Sequence, residues 1–176
     1  MNDGPLLAVD GLSVRVGNRL LLRDLGFVLQ AGEALVVLGE SGAGKSLLAQ
    51  AIVGTLPEPL RAGGNVVLAG IRSAAGHSAA RRAAWGRELV LLPQEPTLAL
   101  DPLVPIGEQA RRLRRLVGGE TPALARTRVD AAMRDHGLAP AIGRYPWQLS
   151  GGMAQRASTL LARCGGAHVL VADEPT

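Results

Sequence analysis

Eight consecutive residues, Gly39-Glu40-Ser41-Gly42-Ala43-Gly44-Lys45-Ser46, carry the clearest chemistry in this chain of 176 residues. They fit the pattern G-x-x-x-x-G-K-[ST]. Glycines at those positions let backbone N–H groups turn inward on a phosphate. A helix beginning at Lys45 adds the partial positive charge of its N-terminus. The Lys45 ammonium can then reach the β- and γ-phosphates of a nucleotide, and the Ser46 hydroxyl suits Mg²⁺. Lys45 is the only lysine among 19 basic residues. One compact ammonium kept in an arginine-rich chain marks a task that a planar guanidinium does not perform. The competing reading is a glycine-rich turn without a ligand. The apolar run at 34–38 argues against it, because strand, loop and helix in that order are the context such a cradle requires.

Three other places could do chemistry with that loop. Val169-Leu170-Val171-Ala172 is apolar and ends in the acidic pair Asp173-Glu174. There Asp173 would bind Mg²⁺, directly or through water, and Glu174 would polarise an attacking water. An acidic pair after an apolar run is common at strand ends, and it gains meaning only behind a phosphate loop. Leu149-Ser150-Gly151-Gly152-Met153-Ala154-Gln155-Arg156 supplies an N-cap serine, two glycines that permit close approach, and a helix whose positive end faces an anion. By itself it is only a capped helix start. Gln94 follows a second apolar run at 88–92, with a solvated loop glutamine as the alternative.

The elements that must position these residues are legible. Residues 6–16 and 20–29 alternate loosely about Gly17-Asn18-Arg19, a hairpin signal. The runs 34–38, 88–92 and 168–172 are short and apolar, as buried parallel strands are. Pro57, Pro59, Gly63 and Gly64 read as a turn-rich link into a strand at 65–69. Helices are expected at 45–53 and 78–85. Four prolines punctuate 93–105, and beyond them Ile106, Ala110, Leu113 and Val117 share one helical face. Thr121-Pro122 opens another helix as N-cap and first-turn proline, with Val129 and Met133 one turn apart, ending near Gly137. A further helix runs from Ser150 to about Cys164. Strands feeding catalytic loops with helices between them give an α/β fold with a parallel sheet.

Composition sets the bounds. One domain with a core of Leu, Val and Ala is expected, since 47% of residues are apolar and only 2% aromatic. The net charge of +4 would admit nucleic acid, but no basic run carries interleaved aromatics for stacking, so no nucleic-acid partner is expected. The cluster Arg111, Arg112, Arg114 and Arg115 is read as a solvated helix face, with a membrane subunit or lipid headgroups as the alternative. A single cysteine, Cys164, cannot form an internal disulfide, which fits a reducing cytosol. Residues 1–10 lack the basic-then-apolar order of a secretory leader, and no apolar run is long enough to span a bilayer.

Taken together, the motifs resemble ATP-binding cassette (ABC) proteins, whose signature Leu149–Arg156 separates them from other P-loop NTPases. The resemblance implies a P-loop NTPase (RecA-like) core with an N-terminal antiparallel β subdomain and an inserted α-helical subdomain. On that reading residues 5–33 and 64–72 form the β subdomain. Residues 34–54, 86–94 and 167–176 form the nucleotide-binding core, and 95–166 the helical subdomain. It implies head-to-tail pairing with a second ABC subunit, so that Ser150, Gly151 and Gly152 close over the ATP of the partner. Gln94 matches the glutamine that touches Mg²⁺ and the attacking water. Gln94-Glu95-Pro96-Thr97-Leu98-Ala99-Leu100-Asp101-Pro102, Ile106-Gly107-Glu108-Gln109 and Arg144-Tyr145-Pro146-Trp147-Gln148 are similar to importers of oligopeptides, dipeptides and nickel. The implied protein is an ATPase on the cytoplasmic face of the inner membrane, with transmembrane permease subunits and, indirectly, a substrate-binding protein. Alternatives are a soluble ABC ATPase acting on nucleic acid or ribosomes, and a nucleotide-binding module without turnover.

Two departures stand out. Family members place an aromatic residue near Val16 to stack on adenine, and here Val16 lies between Arg15 and Gly17. Family members also continue past the acidic pair to a switch histidine and further strands, which do not follow Thr176. The chain is therefore expected to be a fragment or a truncated frame with weak turnover of its own. His77, His136 and His168 are misplaced for the switch.

Overall fold

The structure, a computed structural model, describes residues 4–76 and 78–173. The chain divides into two compact units, residues 1–89 and 90–176.

The first unit is built on a four-stranded antiparallel sheet in the order β2-β1-β3-β4. Strands β1 (Leu7–Val16) and β2 (Arg19–Leu29) form the expected hairpin about Gly17 and Asn18. The inward residues of β1, Leu7, Val9, Leu12 and Val14, are all buried, a period-two pattern of a one-sided sheet that is offset by one residue at the register shift between Val9 and Leu12. Strand β3 (Arg61–Leu68) starts earlier than its sequence suggests, so Gly63 and Gly64 lie within the sheet and not in a turn. The reason is close backbone approach. The register of β1 against β3 slips between Asp10 and Ser13, and a Cβ on Gly64 (φ +89°) would fall 2.4 Å from the Gly11 carbonyl oxygen. Here the glycines make a bulge and not a link. The short strand β4 (Ile71–Ala74) pairs with β3 and was not anticipated as a separate element. Helix α1 (Lys45–Val53) has the expected bounds, and α2 (Ala79–Ala84) is capped by the Ser78 hydroxyl, which accepts from the Arg81 N–H.

One expectation fails. Residues 34–38 do not form a buried strand. Among the described residues no strand pairs with them, and Val36 and Leu38 are 73% and 88% exposed. An apolar run becomes a buried strand only when hydrogen-bonded neighbours and covering helices are supplied.

In the second unit, β5 (Leu89–Leu92) and β6 (Val169–Ala172) form a two-stranded parallel sheet. Leu92 and Val169 are buried, but Leu170 is half exposed, so β6 is less covered than a fully apolar strand suggests. A helical cluster of α3 (Ile106–Leu116), α4 (Pro122–Asp135) and α5 (Gly151–Cys164) encloses Ile106, Ala110, Val129, Met133, Leu138, Ala157 and Leu160. Thr121 caps α4 as expected, its hydroxyl accepting from the Leu124 N–H. The arginines of α3 are largely consumed in ion pairs: Arg111 with Asp130, Arg112 with Glu108, and Arg114 with Glu120, which Arg128 also reaches. No helix of the described residues is long and apolar enough to cross a membrane.

Candidate nucleotide-binding site

The loop at 39–46 leads directly into α1. Gly42 (φ +80°) and Gly44 (φ +94°) take left-handed conformations that L side chains rarely adopt, and Gly44 is the N-cap of α1. A side chain at Gly44 would also strike Leu22 of β2, at 2.7 Å. These two glycines set the direction in which the loop turns. The Ala43 N–H donates to the Glu40 carbonyl, closing the turn at 3.1 Å. The Lys45 Nζ folds back and donates to the carbonyls of Gly39 and Glu40, both at 3.0 Å. The sole lysine thus lies across the mouth of the loop. Residues Gly39 to Ala43 are exposed, while Lys45 and Ser46 are half-buried in the first turn of α1. No side chain caps this helix and no acid sits in its first turn. The positive end of this helix therefore faces the loop without an acidic side chain in its own first turn, an arrangement that favours an anion there.

In the second unit, the pairing of β5 with β6 brings two expected residues to one end of the sheet. The Asp173 N–H donates to the Leu92 carbonyl at 3.0 Å, and Gln94 is two residues beyond that carbonyl. Gln94 is exposed and Asp173 half-buried at the strand end. Glu174 lies outside the described residues, as does His77. His136 caps the end of α4, its Nδ1 2.9 Å from the Ala132 carbonyl oxygen, and His168 precedes β6.

The Ser150-Gly151-Gly152 tip opens α5, a helix of 14 residues. The expected side-chain cap is absent: Ser150 occupies the N-cap position, but its hydroxyl makes no cap hydrogen bond. A Cβ at Gly151 would meet nothing within 4 Å, and one at Gly152 only an arginine tip at 3.9 Å. These glycines therefore serve no packing need among the described residues. All three residues are exposed, so the tip is bare.

Residues 22–176 match the family described as ABC transporter. The chain belongs to the ABC transporter family. It is 34% identical to the glutathione import ATP-binding protein GsiA of Escherichia coli, aligned over all of this chain and 30% of that protein. It is 33% identical to the peptidoglycan transport ATP-binding protein YejF of Agrobacterium fabrum, over 99% of this chain and 34% of that one. The metal-staphylopine import system ATP-binding protein CntD of Staphylococcus aureus is 30% identical over 89% of this chain and 59% of its own length. The chain thus spans about a third of the first two relatives. Its fold matches that of the ATP-binding cassette MJ0796, solved as a dimer in a post-hydrolysis state bound to ADP and Pi. That match has a TM-score of 0.80 at 21% identity and covers 97% of this chain and 74% of the other. The ABC fold, with its antiparallel sheet and its parallel strands, is the one expected from the sequence.

Sequence reasoning missed Gln109. Its buried side chain accepts from the Asp101 N–H at 3.0 Å and donates to the carbonyls of Asp101 (2.8 Å) and Val104 (2.7 Å). It ties down the Asp101–Pro105 loop, adding to the bond from the Val104 N–H to the Asp101 carbonyl. A lone polar residue on the apolar face of α3 was the available signal.

Proposed function

We propose that this chain binds ATP with Mg²⁺ and that the complete subunit hydrolyses it to drive import of a solute, such as a peptide or nickel, across the inner membrane. The observation that carries the reading is the Lys45 ammonium held at the mouth of a glycine loop that feeds an uncapped helix start. Residues 34–54, 86–94 and 167–176 are assigned to nucleotide handling, 5–33 and 64–72 to the β part, and 95–166 to the helical part. Lys45 would leave the two loop carbonyls for the β- and γ-phosphates, while the loop amides from Gly39 to Gly44 surround them. The donors Ser46, Gln94 and Asp173 are a hydroxyl, an amide oxygen and a carboxylate, the hard oxygen set that Mg²⁺ prefers. Bound there, the ion would neutralise phosphate charge and draw the reacting oxygens together. Glu174 is assigned the role of general base, taking a proton from the attacking water.

The bare Ser150-Gly151-Gly152 tip supports a role for α5 outside its own chain: capping the ATP held by a second ABC subunit, itself or a homologue. Transmembrane permease subunits, an external substrate-binding protein and a place on the cytoplasmic membrane face belong to the same proposal. The importer relatives support it; nucleic acid has no such support.

The test is ATP binding by calorimetry and phosphate release by the complete subunit. Glu174→Gln should keep ATP binding and lose turnover by about 10²–10⁴-fold. Turnover retained in that variant would remove Glu174 from its role.

A further inference from the structure

We propose that Gly76, Arg81 and Trp85 clamp the C-terminal end of α1 and thereby position the phosphate loop at its other end, with Trp85 and Arg81 as positioning residues. The proposal rests on the nucleotide-binding reading above and adds residues that no motif contains.

A helix leaves its last carbonyls without partners inside the helix. At the end of α1 the Gln50 carbonyl accepts from the N–H groups of Gly54 (2.8 Å) and Thr55 (2.9 Å). The Ala51 carbonyl accepts from the Gly76 N–H at 3.2 Å, and the Val53 carbonyl from the Trp85 indole N–H at 3.0 Å. Two of these partners come from a segment more than 20 residues downstream. Arg81 sits beside them with only 1% of its surface exposed. Its guanidinium donates to the Ser73 hydroxyl at 3.1 Å and to the Gly76 carbonyl. A Cβ on Gly54 (φ +89°), the C-cap of α1, would fall 3.2 Å from the Arg81 Nε and 3.0 Å from the Gly76 oxygen. The guanidinium is thus packed directly against the helix end.

Among the described residues no carboxylate pairs with Arg81, and burial lowers its pKa. An unpaired buried cation is costly unless something else offsets its charge. The partial negative charge at the C-terminus of α1 does so. A neutral side chain of the same size would fill the space but would lack this interaction with the helix end it faces.

The consequence lies at the other end of the rod. Leu48, Ala49, Ala51, Ile52 and Val53 are buried, all toward the C-terminal side, whereas Lys45 and Ser46 are half-exposed. A nine-residue helix is about 14 Å long and stiff on that scale. Held at its far end, it keeps the leading amides and the Lys45 ammonium in register for phosphate; released, it tilts, and only part of the population is competent to bind.

The experiment uses the 176-residue chain and ATP with Mg²⁺, with affinity measured by calorimetry and melting temperature measured alongside. Trp85→Phe keeps a ring and removes the N–H donor. Losing one net hydrogen bond's worth of restraint should weaken ATP binding about fivefold. Gly54→Ala pushes the clamp away sterically and should act in the same direction; should it fail to fold, Trp85→Phe decides. In a Trp147→Phe chain, where Trp85 is the sole indole, saturating ATP should shift its emission. Affinity within twofold of the unsubstituted chain, even with a lowered melting temperature, would make the contacts purely structural and overturn the clamp. Emission unmoved at saturation overturns it equally. Both results leave nucleotide binding standing, whereas an unsubstituted chain that binds no ATP overturns the underlying reading and the clamp with it.

Discussion

The sole lysine and a single valine decide the two ends of the expected nucleotide. Lys45 already lies over the loop mouth, bonded to two carbonyls that a triphosphate would replace. At the expected adenine end, where the family resemblance implies a stacking aromatic, this chain has Val16, at the half-exposed end of β1. Stacking of a base on an aromatic ring contributes about 1–3 kcal/mol. Val16→Tyr should therefore tighten ATP binding by about fivefold or more, read by calorimetry, with GTP gaining comparably because every base has a π-face. Equal affinity for ATP before and after the substitution would mean that adenine is held elsewhere.

At the scale of elements, the helical cluster depends on polar ties that periodicity does not reveal. Gln109 holds the Asp101–Pro105 loop by three hydrogen bonds. Replacing it with leucine keeps the volume but takes a partner from the Asp101 N–H and the Val104 carbonyl, while the Asp101 carbonyl keeps the Val104 N–H. About 1–3 kcal/mol of stability should be lost, visible as a lower midpoint in urea. A second tie joins the α3–α4 loop to both helices: Glu120 accepts from Arg114 at 2.9 Å and from Arg128 at 2.5 Å. Desolvation alone would raise the Glu120 pKa, but the hydrogen bonds and charges of Arg128 and Arg114 outweigh it and hold the carboxyl below its usual value. A carboxyl depressed on folding adds stability above its unfolded pKa and loses it as pH falls toward the folded one. Glu120→Gln should therefore lower the urea midpoint near neutral pH, and the gap to the unsubstituted chain should shrink below about pH 4.5. A gap that stays constant across that range would show that the charge is not what matters.

At the scale of the whole molecule, function is expected to need a second copy or a homologue, because the Ser150-Gly151-Gly152 tip serves no packing need among the described residues. In the complete subunit, ATP should drive association when turnover is blocked by Glu174→Gln, measured as a doubling of mass by light scattering. Gly152→Glu, which places an anion at the helix tip, should prevent it by opposing the γ-phosphate charge. Association that survives Gly152→Glu would move the contact away from α5.

By itself the sequence determined the family, the fold class and most of the elements around the candidate site. The bounds of α1, the hairpin of β1 and β2, and the capped start of α4 follow from local rules: glycine freedom, proline geometry, and apolar periods of 3.6 and 2. The family resemblance followed from the same residues. Only the tertiary structure decided the rest. It decided that Gly63 and Gly64 bulge within a strand, because β1 approaches too closely for a side chain. It decided that 34–38 is not a strand, because pairing depends on neighbours distant in the chain. It also decided that Gln109, Arg81 and Trp85 face backbone groups 5 to 32 residues away. A side chain's type is local, but its partner is chosen by packing, and no spacing along the chain encodes that choice.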